Sequence, residues 1–248
     1  MGAANRARAV RRVLVLMAAS VSTGAAVLAG AGTAAADGPA VIGGGSGVFV
    51  EQLDDPDSIG ACTITAVGFD ANNRLVGLTA GHCGEVGARI LAEESVRSGV
   101  IGTIANKSAG GDWGVIQFDP ARVAPTRQVA QSVINGVGAP PRVGDIACKN
   151  GRTTGYTCGL VWESNPVFFR SQVCANHGDS GAPVLLGDRL VGMVIGAADV
   201  EAGPVSVELP MCEGAGDLVH EPEVATTINA VLADINAHGG VGAGFRIF

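Results

Sequence analysis

The segment Gly178-Asp179-Ser180-Gly181-Ala182-Pro183 sets one serine between glycines, with a carboxylate immediately before it. A serine hydroxyl is a poor nucleophile until a neutral imidazole takes its proton. The imidazole in turn needs a carboxylate to hold its tautomer and steady the cation that forms. Both partners occur upstream, in Thr79-Ala80-Gly81-His82-Cys83 and Gly111-Asp112-Trp113-Gly114. Attack on a carbonyl also creates an oxyanion, which backbone N–H groups must reach with no side chain in the way. Gly178 and Ser180 are the donors this reading assigns. Each stretch alone has a plainer reading, as a structural histidine or as a turn. The cysteines weigh against that, because Cys83 follows the histidine directly and Cys174 lies six residues before the serine. Metal binding is the rival use of Cys and His, but the Cys-x-x-Cys and His-x-x-x-His spacings of zinc sites are missing, so no metal and no cofactor are expected.

Outward from these motifs, glycine supplies 38 of 248 residues, about twice the usual ~7%. Between the glycines lie short runs rich in Val, Ile, Leu and Thr, at 61–69, 75–79, 100–104, 113–118, 157–162, 183–186 and 190–195. Runs of this length between turn residues predict strands and an all-β barrel or sandwich. One segment differs: 223–237 carries Val224, Ile228, Val231, Leu232 and Ile235 at helical spacing, with an acid at its start and Gly239-Gly240 at its end. It predicts one amphipathic helix, followed by a short strand at 245–248. The segment 122–141, with Pro125, Pro140 and Pro141, reads as irregular and divides the strands into two halves, 37–125 and 126–248.

The first 36 residues read as a removable secretory signal. Arg6, Arg8, Arg11 and Arg12 precede an apolar stretch at 13–28, and Ala34-Ala35-Ala36 closes it. A retained membrane anchor is the alternative, but Ser20, Ser22 and Thr23 dilute the apolar run. Cleavage after Ala36 removes four arginines and no acid, which moves the formal net charge from −7 to −11. An acidic chain with ten aromatic residues lacks the basic stripe and stacking platforms of a nucleic-acid binder. All six cysteines follow the cleavage point, an even number suited to disulfides in an oxidising compartment.

Together, Thr-Ala-Gly-His-Cys, the intervening Asp112 and Gly-Asp-Ser-Gly resemble the chymotrypsin-like (trypsin-like) serine proteases. Asp112-Trp113-Gly114-Val115, the stretch from Cys148 to Cys158 and the two extra residues between Cys174 and Gly178 are similar to the secreted bacterial branch that includes streptogrisins and α-lytic protease. The resemblance runs from about Val41 onward. It implies two six-stranded antiparallel β-barrels with a C-terminal helix, and a cleft between the barrels holding His82 and Asp112 from the first and Ser180 from the second. It implies bridges Cys62–Cys83, Cys148–Cys158 and Cys174–Cys212, one of fifteen connectivities open to six cysteines. It further implies an internal base for the buried Asp179, and Lys149 stands at that position. Val41-Ile42-Gly43-Gly44 offers the rival arrangement, a cleaved N-terminal amine.

The chain departs from the family pattern in places. Ala182 replaces the second glycine after the serine. Ile195 stands where a serine hydroxyl usually supports the aspartate, and Ala197 where a glycine usually pairs with substrate backbone. Val173, Ala175, Asn176, Ile195, Gly196 and Ala197 are the expected substrate-binding residues, giving a small apolar pocket, with Asp199 read as a solvated loop charge. The resulting expectation is a secreted, monomeric serine endopeptidase acting on proteins or peptides, with no nucleic-acid or membrane partner. Ile195, Ala182 and the absent long pro-region support an alternative, a protease-fold protein of weak or lost turnover that serves as a secreted binding or surface protein. Hydrolysis of esters or other acyl substrates would use the same residues.

Overall fold

A computed structural model describes residues 38–108, 110–202 and 205–248, so the expected signal at 1–36 lies outside the described residues. Its secondary structure is mostly β, with one α-helix among the described residues, Ile228–His238.

Six strands close into an antiparallel ring. Arg189–Ala197 pairs with Pro183–Leu186, then come Ile146–Gly151, Gly155–Ser164, Phe168–Ser171 and Glu223–Thr227, and the last pairs back with Arg189–Ala197. Closure leaves this sheet no free edge between its six members. Phe169, Val161, Val184 and Val191 fill the interior together with the methyl of Ala182, whose backbone φ is not positive. The alanine therefore adds packing at no conformational cost.

The earlier strands form one antiparallel sheet of eight in the order Arg246–Ile247, Ala66–Phe69, Leu75–Ala80, Trp113–Phe118, Val100–Ser108, Arg89–Ala92, Gly47–Glu51 and Ile59–Thr63. Leu75–Ala80 is buried along its whole length. Its alternation sends Leu75 into the core of this sheet, and Val76 and Leu78 into a second cluster with Trp113, Met193 and the helix residues Ile228, Val231 and Ile235. That shared cluster welds the helix and the closed barrel to the strand that ends just before His82.

The run expected as one strand at 61–69 is two, Ile59–Thr63 and Ala66–Phe69. The chain turns at Ile64-Thr65, where the Thr65 hydroxyl donates to the Gly181 carbonyl at 2.6 Å. The expected helix at 223–237 begins five residues later. Glu223–Thr227 is a strand paired on both sides, and Thr227 caps the helix by accepting from the Ala230 N–H. The segment 122–141 is less irregular than its prolines suggest, since it carries the short strands Val123–Pro125, Gln128–Val129, Ser132–Val133 and Gly136–Val137.

Candidate active site

His82 lies in the 3-10 turn Gly81–Cys83, directly after the buried strand Leu75–Ala80. The Cys62–Cys83 bridge ties this turn to Ile59–Thr63. Asp112 precedes the strand Trp113–Phe118, which pairs with Leu75–Ala80, so the two residues emerge from neighbouring strands at the same end. Asp112 has φ +45°, a left-handed conformation that costs a non-glycine residue free energy and must be held by its surroundings. The His82 N–H donates to its Oδ1 at 2.8 Å, and His82 Nδ1 lies 2.9 Å from Oδ2. The other ring nitrogen, Nε2, is 2.8 Å from Ser180 Oγ. Hydrogen bonding to Asp112 raises the His82 pKa above its ordinary 6.5. Imidazole thus bridges hydroxyl and carboxylate in the geometry that lets it accept a proton from the one while leaning on the other.

The serine loop is clamped from the first sheet. The Ser180 carbonyl accepts from the Thr63 N–H at 2.9 Å, and the Gly178 carbonyl accepts from the Thr63 hydroxyl at 2.9 Å. Gly178 and Gly181 have φ +95° and +85°, and a Cβ on Gly181 would stand 2.3 Å from the Thr63 carbonyl oxygen, so glycine is required there. Among the described residues, the N–H groups of Gly178 and Ser180 donate to no protein acceptor. They are free to meet a developing negative charge.

Beneath the loop, Lys149 Nζ lies 3.2 Å from Asp179 Oδ2, and both side chains are fully buried. The Asp179 carboxylate also accepts from the N–H groups of Thr153 and Asn176, at 2.9 and 3.1 Å, while Lys149 donates to the Gly155 carbonyl and the Thr154 hydroxyl. Burial lowers the Lys149 pKa and the Asp179 charge opposes that. Val41 is exposed, on a strand paired with Val123–Pro125. Cys148–Cys158 joins the strand that carries Lys149 to its neighbour Gly155–Ser164, and Cys174–Cys212 ties the residues before the serine loop to the loop that follows the strand Val205–Val207.

Next to Ser180 is a pocket of about 250 Å³ lined by Ala175, Asn176, Val194, Gly196 and Ala197, with His177, Met211 and Glu221 completing it. Val173 and Ile195 do not line it. Val173 is fully buried, and Ile195 packs into the cluster that contains Trp113. Strand alternation explains the latter, since Val194 faces the pocket and its neighbour must face away. No hydroxyl supports Asp112; among the described residues its carboxylate accepts only from His82. Met211 and Glu221 were not legible in the sequence, because the ties that bring their loop to the pocket, the Cys174–Cys212 bridge and the hydrogen bonds from Gln172 and Asn176, are all to distant residues. Glu223, read from sequence as an acid at the start of a helix, is fully buried in a strand. Its Oε2 accepts from the Ser171 hydroxyl at 2.6 Å, and burial pushes its pKa up to about 7.

No protein-family profile matches the chain. It is 28% identical over 155 residues to serine protease 2 of Streptomyces fradiae, covering 56% of this chain and 88% of that one. It is 29% identical over 140 residues to streptogrisin-C of Streptomyces griseus, 48% of this chain and 29% of the longer relative. Among solved structures, the Nocardiopsis protease superposes with a TM-score of 0.61 at 21% identity, over 79% of this chain and 97% of that one. The α-lytic protease homolog N4 superposes with a TM-score of 0.57 at 20% identity, over 79% and 98%. The fold and these likenesses define a chymotrypsin-fold serine protease homologue. Within that class the chain is similar in sequence to the two Streptomyces proteases and in fold to the Nocardiopsis and α-lytic-type structures.

Proposed function

We propose that the protein is a secreted serine endopeptidase. The observation that carries this reading is the continuous hydrogen-bonded line from Ser180 Oγ through His82 to Asp112, at 2.8 and 2.9 Å. In the proposed reaction Ser180 Oγ attacks the peptide carbonyl carbon while His82 Nε2 takes the hydroxyl proton. The carbonyl oxygen, now negative, is met by the N–H groups of Gly178 and Ser180. The intermediate collapses as the C–N bond breaks and His82 gives its proton to the departing amine. Water, deprotonated by His82, then cleaves the acyl ester and regenerates the serine. Asp112 fixes the imidazole orientation and remains ionised throughout. Lys149 serves as the internal base that neutralises Asp179, the buried partner of the serine loop.

On this reading the halves 37–125 and 126–248 are two barrels with the site between them, and the similarity of the solved neighbours supports the second barrel. Three disulfides are consistent with export, for which residues 1–36 provide the signal. The substrate is protein or peptide, and the enzyme acts as a monomer without a cofactor.

A fluorophosphonate probe tests the proposal, since covalent capture needs both an activated hydroxyl and an oxyanion site. Stoichiometric labelling of the mature protein at Ser180, lost in Ser180→Ala, together with cleavage of a denatured protein substrate, is the expected result. Folded protein that takes up no probe and cuts nothing overturns it in favour of a binding role. Labelling with ester but no peptide hydrolysis points to the other acyl chemistry.

A further inference from the structure

We propose that the pocket beside Ser180 selects a lysine or arginine side chain on the acyl side of the cleaved bond, with Glu221 as its anionic partner. This rests on the endopeptidase reading above and names the substrate class of that site. The walls of Ala175, Val194, Gly196, Ala197 and Met211 offer a narrow apolar slot. Such walls suit the aliphatic stem of a long side chain, and the cationic head of lysine or arginine needs a charge or acceptor beyond the stem.

Glu221 is the one acid lining the slot, and among the described residues its side chain makes no hydrogen bond or ion pair. Of the other polar side chains in the lining, the His177 ring makes no hydrogen bond among the described residues, while Asn176 is committed. Asn176 donates through Nδ2 to the Cys212 carbonyl at 2.8 Å and accepts through Oδ1 from the His177 N–H at 2.7 Å.

The backbone carrying Glu221 is fixed on several sides. Its N–H donates to the Pro210 carbonyl at 2.9 Å, and its carbonyl lies 2.7 Å from Nδ1 of the buried His220. The neighbouring His220 carbonyl accepts from Gln172 Nε2 at 3.1 Å, and Cys212 is bridged to Cys174. With the backbone fixed, only the glutamate rotamers remain to be ordered when the carboxylate meets a partner.

The surrounding field has the same sign. Residues 208–222 contain Glu208, Glu213, Asp217 and Glu221 and no lysine or arginine. The nearby cations are spoken for, Arg152 by Glu93 and Lys149 by Asp179. An acidic side chain would be repelled by Glu221 with only the His177 ring to receive it, and a neutral aliphatic one would leave the carboxylate without a counter-charge.

Matched peptide substrates differing only in that residue (Lys, Arg, Met, Leu, Glu) provide the test on mature enzyme. Wild type should favour Lys and Arg over Met in kcat/KM. Glu221→Gln should cut the Lys-to-Met ratio about 10- to 100-fold, the range expected for losing a charged hydrogen bond. Glu221→Lys should shift preference toward Glu, a gain that a misfolded variant cannot give. A Lys-to-Met ratio unchanged by Glu221→Gln overturns the proposal.

Benzamidine binding to the Ser180→Ala protein, measured by calorimetry, separates this failure from failure of the endopeptidase reading. Binding that weakens with Glu221→Gln supports the cation pocket even if nothing is cut. Equal or absent binding in both proteins counts against the pocket even if the fluorophosphonate labels.

Discussion

A single imidazole decides the pH behaviour of the site. Asp112 raises the His82 pKa above 6.5 by favouring the protonated ring. Because only the neutral ring can take the serine proton, kcat/KM should climb with pH through that raised value and fall away below it, and a flat profile across the acid range would contradict the mechanism. The stability effect has the opposite sign. The interaction contributes fully below 6.5 and is lost as pH rises through the folded value. Lys149 is a second residue with one dominant task. Lys149→Met leaves Asp179 buried without its counter-charge, so urea unfolding should show a loss of about 3–5 kcal/mol, and activity should fall with it because the serine loop rests on that carboxylate. These residues were readable from sequence because each sits in a short local motif. Glu221 and Met211 were not, since nothing in their own neighbourhood of the chain marks them, and strand pairing, hydrogen bonds and a disulfide to distant residues bring them to the pocket.

Among the elements, the C-terminal helix bears on the site through one contact. Trp113, fully buried, donates its indole N–H to Asp234 Oδ2 at 2.7 Å, and His238 lies edge-on to the indole while its Nδ1 is 3.3 Å from Asp234 Oδ1. This anchors the residue next to Asp112, whose carboxylate no hydroxyl supports among the described residues. Trp113→Phe should therefore lower kcat more than it changes KM, and cost about 1–3 kcal/mol in stability from the orphaned acceptor. Asp234→Asn, which keeps an oxygen for the indole, should largely preserve both. The helix was visible in its apolar period, but its start was not. Val224 continues the helical spacing by coincidence, and only the pairing of Glu223–Thr227 with two strands, which the local sequence does not reveal, makes that segment extended. Thr65 shows the same limit at 61–69, where a tertiary hydrogen bond to the serine loop turns a run that reads locally as one strand.

For the molecule as a whole, the two sheets are not independent in sequence. Arg246 stands opposite Phe69 and Ile247 opposite Gly68, so the eight-stranded sheet takes its outermost member from the far end of the segment. The Phe248 N–H donates to the Val67 carbonyl at 3.0 Å, and the Phe248 carbonyl accepts from Arg127 at 2.6 Å. The sequence pattern found that short strand but could not say which sheet receives it, because a two-residue pairing carries no register signal of its own. Deleting 246–248 should expose the Ala66–Phe69 edge and reduce the yield of native protein on refolding from urea, read by near-ultraviolet circular dichroism, with unchanged yield counting against a structural role for the pairing.

That late strand also constrains the order of assembly. A chain emerging from the ribosome cannot complete its eight-stranded sheet until Arg246 and Ile247 follow, so the Ala66–Phe69 edge waits unpaired while the whole closed barrel is made.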